Sequence, residues 1–365
     1  MDYINTPISE MGRVVTGKTP STAVSEYYDG DIMFITPSEL HTDFMVEKSE
    51  KTITIAGFNS IKNNTIRGIS VMVGCIGWDM GNVAVCSETC ATNQQINSIT
   101  DIKPEYNPLY IYYWLKTKKD YLFSMASVTR TPILSKSTFE KILVPMPPKN
   151  KQDAITHILS AVDKKIMSNN AVNDNLQQVI KSCFDFMFAT QKPNGIISDI
   201  LQEHPKSTIQ VNDSTGVFGD YPFFTSGEAI NEWQSALVDG MNCYLSTGGN
   251  ATIKGYYGKA AYSTDTWCVC GKGEYSFYLF CYFKSIIRSI NDSFFAGSGL
   301  KHLQKDSLLL VNLYIPSEKE LEKFNSIVKP AMETMTKLFL ETKKLKQQRD
   351  FLLPLLMNGQ ATIAE

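Results

Sequence analysis

Leu134-Ser135-Lys136-Ser137-Thr138-Phe139 and Leu303-Gln304-Lys305-Asp306-Ser307-Leu308 read as two copies of one segment, and they organise the whole chain. With Leu134 set on Leu303 the alignment runs on without a gap, Val144 falling on Leu313 and Pro147 on Pro316. Past those prolines each copy becomes a long helical pattern. The first apolar ladder is Ile155, Leu159, Val162, Ile166, Asn169, Asn173, Leu176, Ile180, Cys183 and Met187. The second is Phe324, Val328, Ala331, Met335, Leu338, Thr342, Leu345, Arg349, Leu352 and Leu356. Alternating steps of four and three make a heptad seam, and about five heptads of it favour a coiled coil over a surface helix. Each helix is expected to hold about 40 residues and to span roughly 60 Å. Pro330 is expected to kink the second helix near its start, and Pro354 to disturb its last turn. Asn169 and Asn173 occupy seam positions held by Leu338 and Thr342 in the other copy. They are open to two readings, local tolerance of polar residues or a device that fixes register.

The segments ahead of the helices match only in patches. Gly30-Asp31-Ile32-Met33-Phe34-Ile35-Thr36 resembles Gly219-Asp220-Tyr221-Pro222-Phe223-Phe224-Thr225. Ile69–Gly74 and Asn242–Gly248 read as buried strands, each followed by glycine turns and a β-rich run, Asn82–Cys86 and Lys259–Tyr262. Pro108–Phe123 and Tyr275–Ile290 read as helices against those sheets. The expected fold is α+β: two globular domains, 1–148 and 193–317, alternating with helical spacers 149–192 and 318–365.

Composition is that of a globular chain, 43% hydrophobic and 20% charged in 365 residues, which is long for one domain. No signal peptide or membrane span is read, so the expected location is the cytoplasm. Eight scattered cysteines without a C-x-x-C pair, and four histidines, argue for reduced thiols and against a zinc site. A net charge of −2 means that a nucleic-acid partner would need basic residues gathered on one face, or charge from other subunits.

Gly12-Arg13-Val14-Val15-Thr16-Gly17-Lys18-Thr19 satisfies G-x-x-x-x-G-K-[ST]. A phosphate-cradling loop needs a strand before it and a helix opening at Lys-Thr. Ile8–Met11 is a poor strand and Pro20 follows at once, so a nucleotide hydrolase built on Gly17-Lys18-Thr19 is the weaker alternative. A methyltransferase would need an Asn/Asp-Pro-Pro-aromatic element, which Asn107-Pro108-Leu109 and Met146-Pro147-Pro148 do not supply. The scattered histidines give no triad in sequence.

Val15-Thr16-Gly17-Lys18-Thr19-Pro20-Ser21 with Gly30–Pro37 resembles the opening of a recognition domain of type I restriction–modification specificity subunits. Thr92-Asn93-Gln94-Gln95-Ile96-Asn97 is similar to a later block. Val144–Pro148 entering a helix with Gln152 and Ile155 resembles the domain-to-spacer junction, and Leu352–Gln360 the C-terminal ending. The second half departs from the pattern: Gln210–Ser214 replaces the Thr-Gly-Lys-Thr-Pro opening.

The resemblance implies a non-catalytic DNA reader. Its two target-recognition domains would each read half of a split, asymmetric site, and the helices, paired as an antiparallel coiled coil, would act as a ruler. Two methyltransferase subunits would bind S-adenosylmethionine and flip the target adenine. Two motor–nuclease subunits using ATP and Mg would join for cleavage, and this chain would hold no cofactor or metal. An orphan DNA-binding member of the family is a further alternative. Base reading needs donors and acceptors on loops. The candidates are Lys18, Thr19, Thr36, Ser38, Asn93, Gln94 and Arg130 in the first domain, and Thr225, Ser226, Thr247, Asn250, Lys254 and Lys301 in the second.

Overall fold

The computed structural model describes residues 3–361 apart from Asp43, Thr129, Ser298 and Leu300. Its contacts divide the chain into two compact units, Met1–Ser168 with Thr342–Glu365, and Asn169–Glu341. Among the described residues no helix is long and apolar enough to cross a membrane.

The first unit begins β1 (Ile4–Pro7), α1 (Ile8–Met11), β2 (Arg13–Thr16), β3 (Tyr28–Ile35), β4 (Lys51–Ile53), α2 (Ile55–Ser60) and β5 (Thr65–Ile66). It continues β6 (Ser70–Gly74), β7 (Val83–Cys86), β8 (Cys90–Thr92), β9 (Ile96–Thr100), α3 (Pro108–Lys116) and α4 (Lys119–Ser124). The hairpin β10 (Ser127–Val128) and β11 (Pro132–Ile133), then α5 (Lys136–Glu140) and β12 (Leu143–Met146), lead into α6 (Lys149–Phe188). Two four-stranded sheets form, in the orders β2-β9-β6-β7 and β4-β3-β8-β5. Every residue of β6, β7 and β9 is buried; β6 and β7 are near-continuous apolar runs, whereas β9 also buries Asn97, Ser98 and Thr100. Asn107 starts α3 by accepting the Leu109 N–H at 2.9 Å, with Pro108 in the first turn.

The second unit repeats this order: β13 (Gly195–Ile196), α7 (Ile197–Ile200), β14 (Leu201–Glu203), β15 (Tyr221–Phe224), β16 (Ile230–Trp233), β17 (Met241–Ser246) and β18 (Ile253–Tyr257). Then come β19 (Ala261–Tyr262), β20 (Thr266–Gly271), α8 (Ser276–Ser285) and α9 (Ile287–Ser293). Last are β21 (Phe295–Ala296), β22 (His302–Leu303), α10 (Lys305–Leu309), β23 (Asn312–Leu313) and α11 (Glu318–Met357). Its sheets, β14-β20-β17-β18 and β16-β15-β19, keep the strand order of the first unit. One counterpart differs from the sequence reading. The place of β7 is taken by Ile253–Tyr257, whereas Ala261–Tyr262 takes the place of β8. Strand order decides this, and local composition could not.

Both long helices are 40 residues. The shift that sets Leu134 on Leu303 also sets Lys149 on Glu318 and Phe188 on Met357, so they start and stop at equivalent positions. Within each unit they run antiparallel. In the first, Asp163 meets Arg349 at 2.9 Å, and Ile155 and Leu159 share a core with Leu353, Leu356 and Met357. In the second, Asn169 donates to Glu341 at 2.9 Å while the Phe184 and Phe188 rings pack on Phe324. The asparagine therefore makes a specific interhelical bond. α11 continues as helix through Pro330 and Pro354 to Met357, so neither proline ends it. Packing on both units' cores outweighs the single N–H each proline withholds.

Candidate nucleic-acid interface

Strand register gathers the first unit's candidates. β2 ends at Thr16 opposite Asn97, β6 ends at Gly74 opposite Ile96, and β3 ends at Ile35 beside Thr92. The C-terminal ends of three strands and the turn Asn93–Gln95 thus lie along one edge. Gly17 crosses that turn closely, its N–H reaching the Ile96 carbonyl at 3.0 Å. A Cβ there would stand 2.2 Å from the Asn93 carbonyl oxygen. Lys18 is exposed just beyond, and the Thr19 hydroxyl donates to Gln94 Oε1 at 2.9 Å. Asn93 closes its turn by accepting the Gln95 N–H at 3.0 Å.

Thr36 gives its N–H and its hydroxyl to the Glu39 carboxylate, both at 2.8 Å, with Ser38 Oγ 2.7 Å from Thr36 Oγ1. Burial pushes the Glu39 carboxyl up, but the bonds from Thr36 and from the Glu50 N–H hold it below the ordinary carboxylate value. Arg130 is exposed in the β10–β11 hairpin. That hairpin joins the same edge, because Leu134 N–H reaches Cys75 O at 2.9 Å and Cys75 N–H reaches Gln95 O at 2.7 Å. All seven first-domain candidates therefore stand on one edge.

The second unit presents the equivalent edge. Thr247 follows β17 and donates to Asp265 O at 2.8 Å. Leu303 N–H reaches Thr247 O at 3.0 Å, and Gly249 N–H reaches Lys301 O at 2.9 Å. Asn250 is exposed in the same loop, its carbonyl accepting from Ser246 Oγ at 2.7 Å. Thr225 and Lys254 have structural work: the Thr225 hydroxyl closes the β15–β16 turn on Ala229 O at 2.7 Å. The Lys254 ammonium is held by the carbonyls of Thr225 (3.0 Å), Ala229 (3.3 Å) and Gly227. Burial lowers the Lys254 pKa, opposed by Glu228.

Ser226 and Thr247 line a cavity of about 670 Å³ at this edge. Sequence reading missed its other walls, notably His204, Lys206, His302 and Lys305. Lys305 Nζ sits 4.9 Å over the buried Trp267 ring, whose indole N–H donates to Glu203 at 2.6 Å. The available signal was positional. His204-Pro205-Lys206 follows β14 as Gly17-Lys18-Thr19 follows β2, but without shared letters. Among the described residues no group of three His, Cys, Asp or Glu converges on a metal position.

The phosphate-loop alternative is overturned by the same geometry. Arg13–Thr16 inside the motif is a strand, Gly17 is bonded into the sheet, and no helix opens at Lys18-Thr19.

Comparison with known proteins agrees with this architecture. A family model, the type I restriction modification DNA specificity domain, matches residues 2–178. The type I restriction enzyme MjaIX specificity subunit of Methanocaldococcus jannaschii is 22% identical over 405 aligned residues, covering 98% of this chain and 93% of that protein. The HindI specificity subunit of Haemophilus influenzae is 30% identical over 174 residues, 47% of this chain and 38% of its own. The crystal structure of the type I restriction–modification S subunit from M. genitalium has the same fold. Its TM-score is 0.65 at 14% identity, with 98% of this chain and 96% of that one covered. With the doubled α+β fold and the paired long helices, these matches make the chain similar along its length to type I restriction–modification DNA specificity subunits.

Proposed function

We propose that the chain reads a split, asymmetric DNA site, each unit contacting one half-site through its strand-end edge. The observation that carries this reading is the repeated edge with unlike side chains. Lys18, Gln94 and Arg130 stand on one, and Lys206, Lys301, His302 and Lys305 on the other. One scaffold with two sets of donors suits two different base sequences. Residues tied into turns, such as Thr36, Thr225 and Lys254, shape the loops; exposed Lys18, Gln94, Arg130, Asn250 and Lys301 are the better base or phosphate contacts.

Methyltransferase subunits are the partners this reading requires, and they would bring the S-adenosylmethionine site and much of the positive charge. An outward apolar stripe on α6 supports docking there: Val172, Val179 and Phe186 recur every seven residues and are 40%, 51% and 87% exposed. Motor–nuclease subunits would add ATP- and Mg-dependent cleavage in the cytoplasm.

The test is a genome-wide map of methylated adenines with and without the gene. Loss of methylation at one split, asymmetric motif is the expected result and names both half-sites. An unchanged map, with equal DNA affinity in the presence and absence of a methyltransferase partner, would favour an orphan binder.

A further inference from the structure

The described exposed side chains on the first unit's edge include one large aromatic that sequence reading passed over. Trp78 is 71% exposed, in the loop joining β6 to β7. The loop is fastened at several points. Gly77 N–H reaches Pro132 O at 3.0 Å, Met80 N–H reaches Gly77 O at 3.2 Å, and Gly81 N–H reaches Gly74 O at 2.8 Å. Gly77 and Gly81 adopt φ of 103° and 91°, a region that favours glycine. Between them the Asp79 carboxylate is held by Lys119 at 3.0 Å, His41 at 2.9 Å and Asn82 at 3.1 Å. The indole itself leans on Phe123, ring centres 6.1 Å apart.

A tryptophan that water surrounds, on a backbone this constrained, is preorganised for a partner and loses little freedom on contact. Its position says which partner. The bond from Gly77 to Pro132 sets the loop against the hairpin that carries Arg130, and Cys75 joins it to Gln95. The second unit supplies an internal control. Its equivalent loop, after β17, reads Gly248-Gly249-Asn250 and has no aromatic.

We propose that Trp78 is a specificity-determining residue that stacks on a base loosened from its neighbours in the half-site contacted by the first unit. Arg130 holds the flanking phosphates. The inference rests on the DNA-reading function above and deepens it: one half-site is distorted and the other is not. Base–aromatic contact is sensitive to how readily a base step unstacks, so Trp78 reads deformability as well as sequence.

The test uses the complex assembled with its methyltransferase partners and duplexes of the split site carrying 2-aminopurine at successive positions. Beyond the target adenine that the methyltransferase flips, the fluorescence is expected to change at one further position in the first unit's half-site and at no further position in the other. Trp78→Ala should abolish that further change and weaken binding about 5- to 150-fold. The salt dependence should not change, because an indole displaces no counterions. Trp78→Phe should retain part of both effects. Parental binding and methylation in Trp78→Ala would overturn the proposal alone. So would a Trp78→Ala chain that assembles more weakly with the methyltransferase yet, in the assembled complex, binds DNA as the parent does; that result assigns the indole to a protein contact. A parent complex that binds no split duplex would overturn the DNA-reading function and the proposal with it.

Discussion

At Gly17 the chain passes so close to the Asn93 turn that a methyl group would press on backbone oxygen, with Thr92 Oγ1 also 2.2 Å away. Gly17→Ala should therefore destabilise the first unit by about 1–3 kcal/mol, read as a lower midpoint in chemical denaturation. The glycine that looked like part of a phosphate loop is a packing requirement where the chain leaving β2 passes the Thr92–Asn93 backbone. Glu39 gives a pH-dependent prediction. Its folded pKa lies below the ordinary 4.5, so its contribution is present above that value and is lost as pH falls through the folded pKa. Glu39→Gln should lower thermal stability at neutral pH, and its deficit against the parent should shrink below pH 4.5. Residues of this kind were only partly legible in the sequence. The letters Thr-Gly-Lys-Thr and Asn-Gln-Gln fall together on one strand-end edge, whereas Trp78, Lys206 and Lys305 became visible only once strand ends were aligned.

The long helices carry their own asymmetry. Asp163 is fully buried, accepts the Tyr113 hydroxyl at 2.6 Å, and pairs with Arg349, itself 5% exposed. The hydrogen bonds to Asp163 and Asp350 hold the guanidinium charged against its burial, and burial together with the Asp163 charge raises the Tyr113 phenol. In the other copy the same positions are Met332 and Ile180, both inside the second unit's core. The protein thus contains an ionic and an apolar solution to one packing problem. Arg349→Met alone should cost about 3–5 kcal/mol by stranding a buried carboxylate. Asp163→Met with Arg349→Ile and Tyr113→Phe should come close to parental stability. Denaturant midpoints of the two variants check both outcomes. The helical seam and its approximate limits were readable from heptad spacing, whereas the antiparallel pairing came only as what the family resemblance implied. The salt bridge was not, because Arg349 stood in the ladder while Asp163 sat one residue beside it.

For the molecule as a whole, repetition was the legible feature, strong in the helices and faint in the sheets. The sheet strands share an order and little sequence, since buried strands ask only for apolar residues of fitting size. The proposed recognition by two unlike edges predicts separable defects. Lys206→Ala should weaken binding across all sequences at the second half-site and reduce the salt slope by about one. Gln94→Ala should instead relax base preference in the first half-site only, and methylation mapping of each variant distinguishes the two. The division of the chain also has a consequence in time. Leu353, Leu356 and Met357 belong to the core built around α3 and β6, yet the ribosome delivers them after the entire second unit. The part of the protein made first is therefore finished last. Until those residues arrive, the N-terminal half keeps part of its hydrophobic core uncovered. A chain stopped after Glu341 should lose order in its beginning while its middle folds undisturbed.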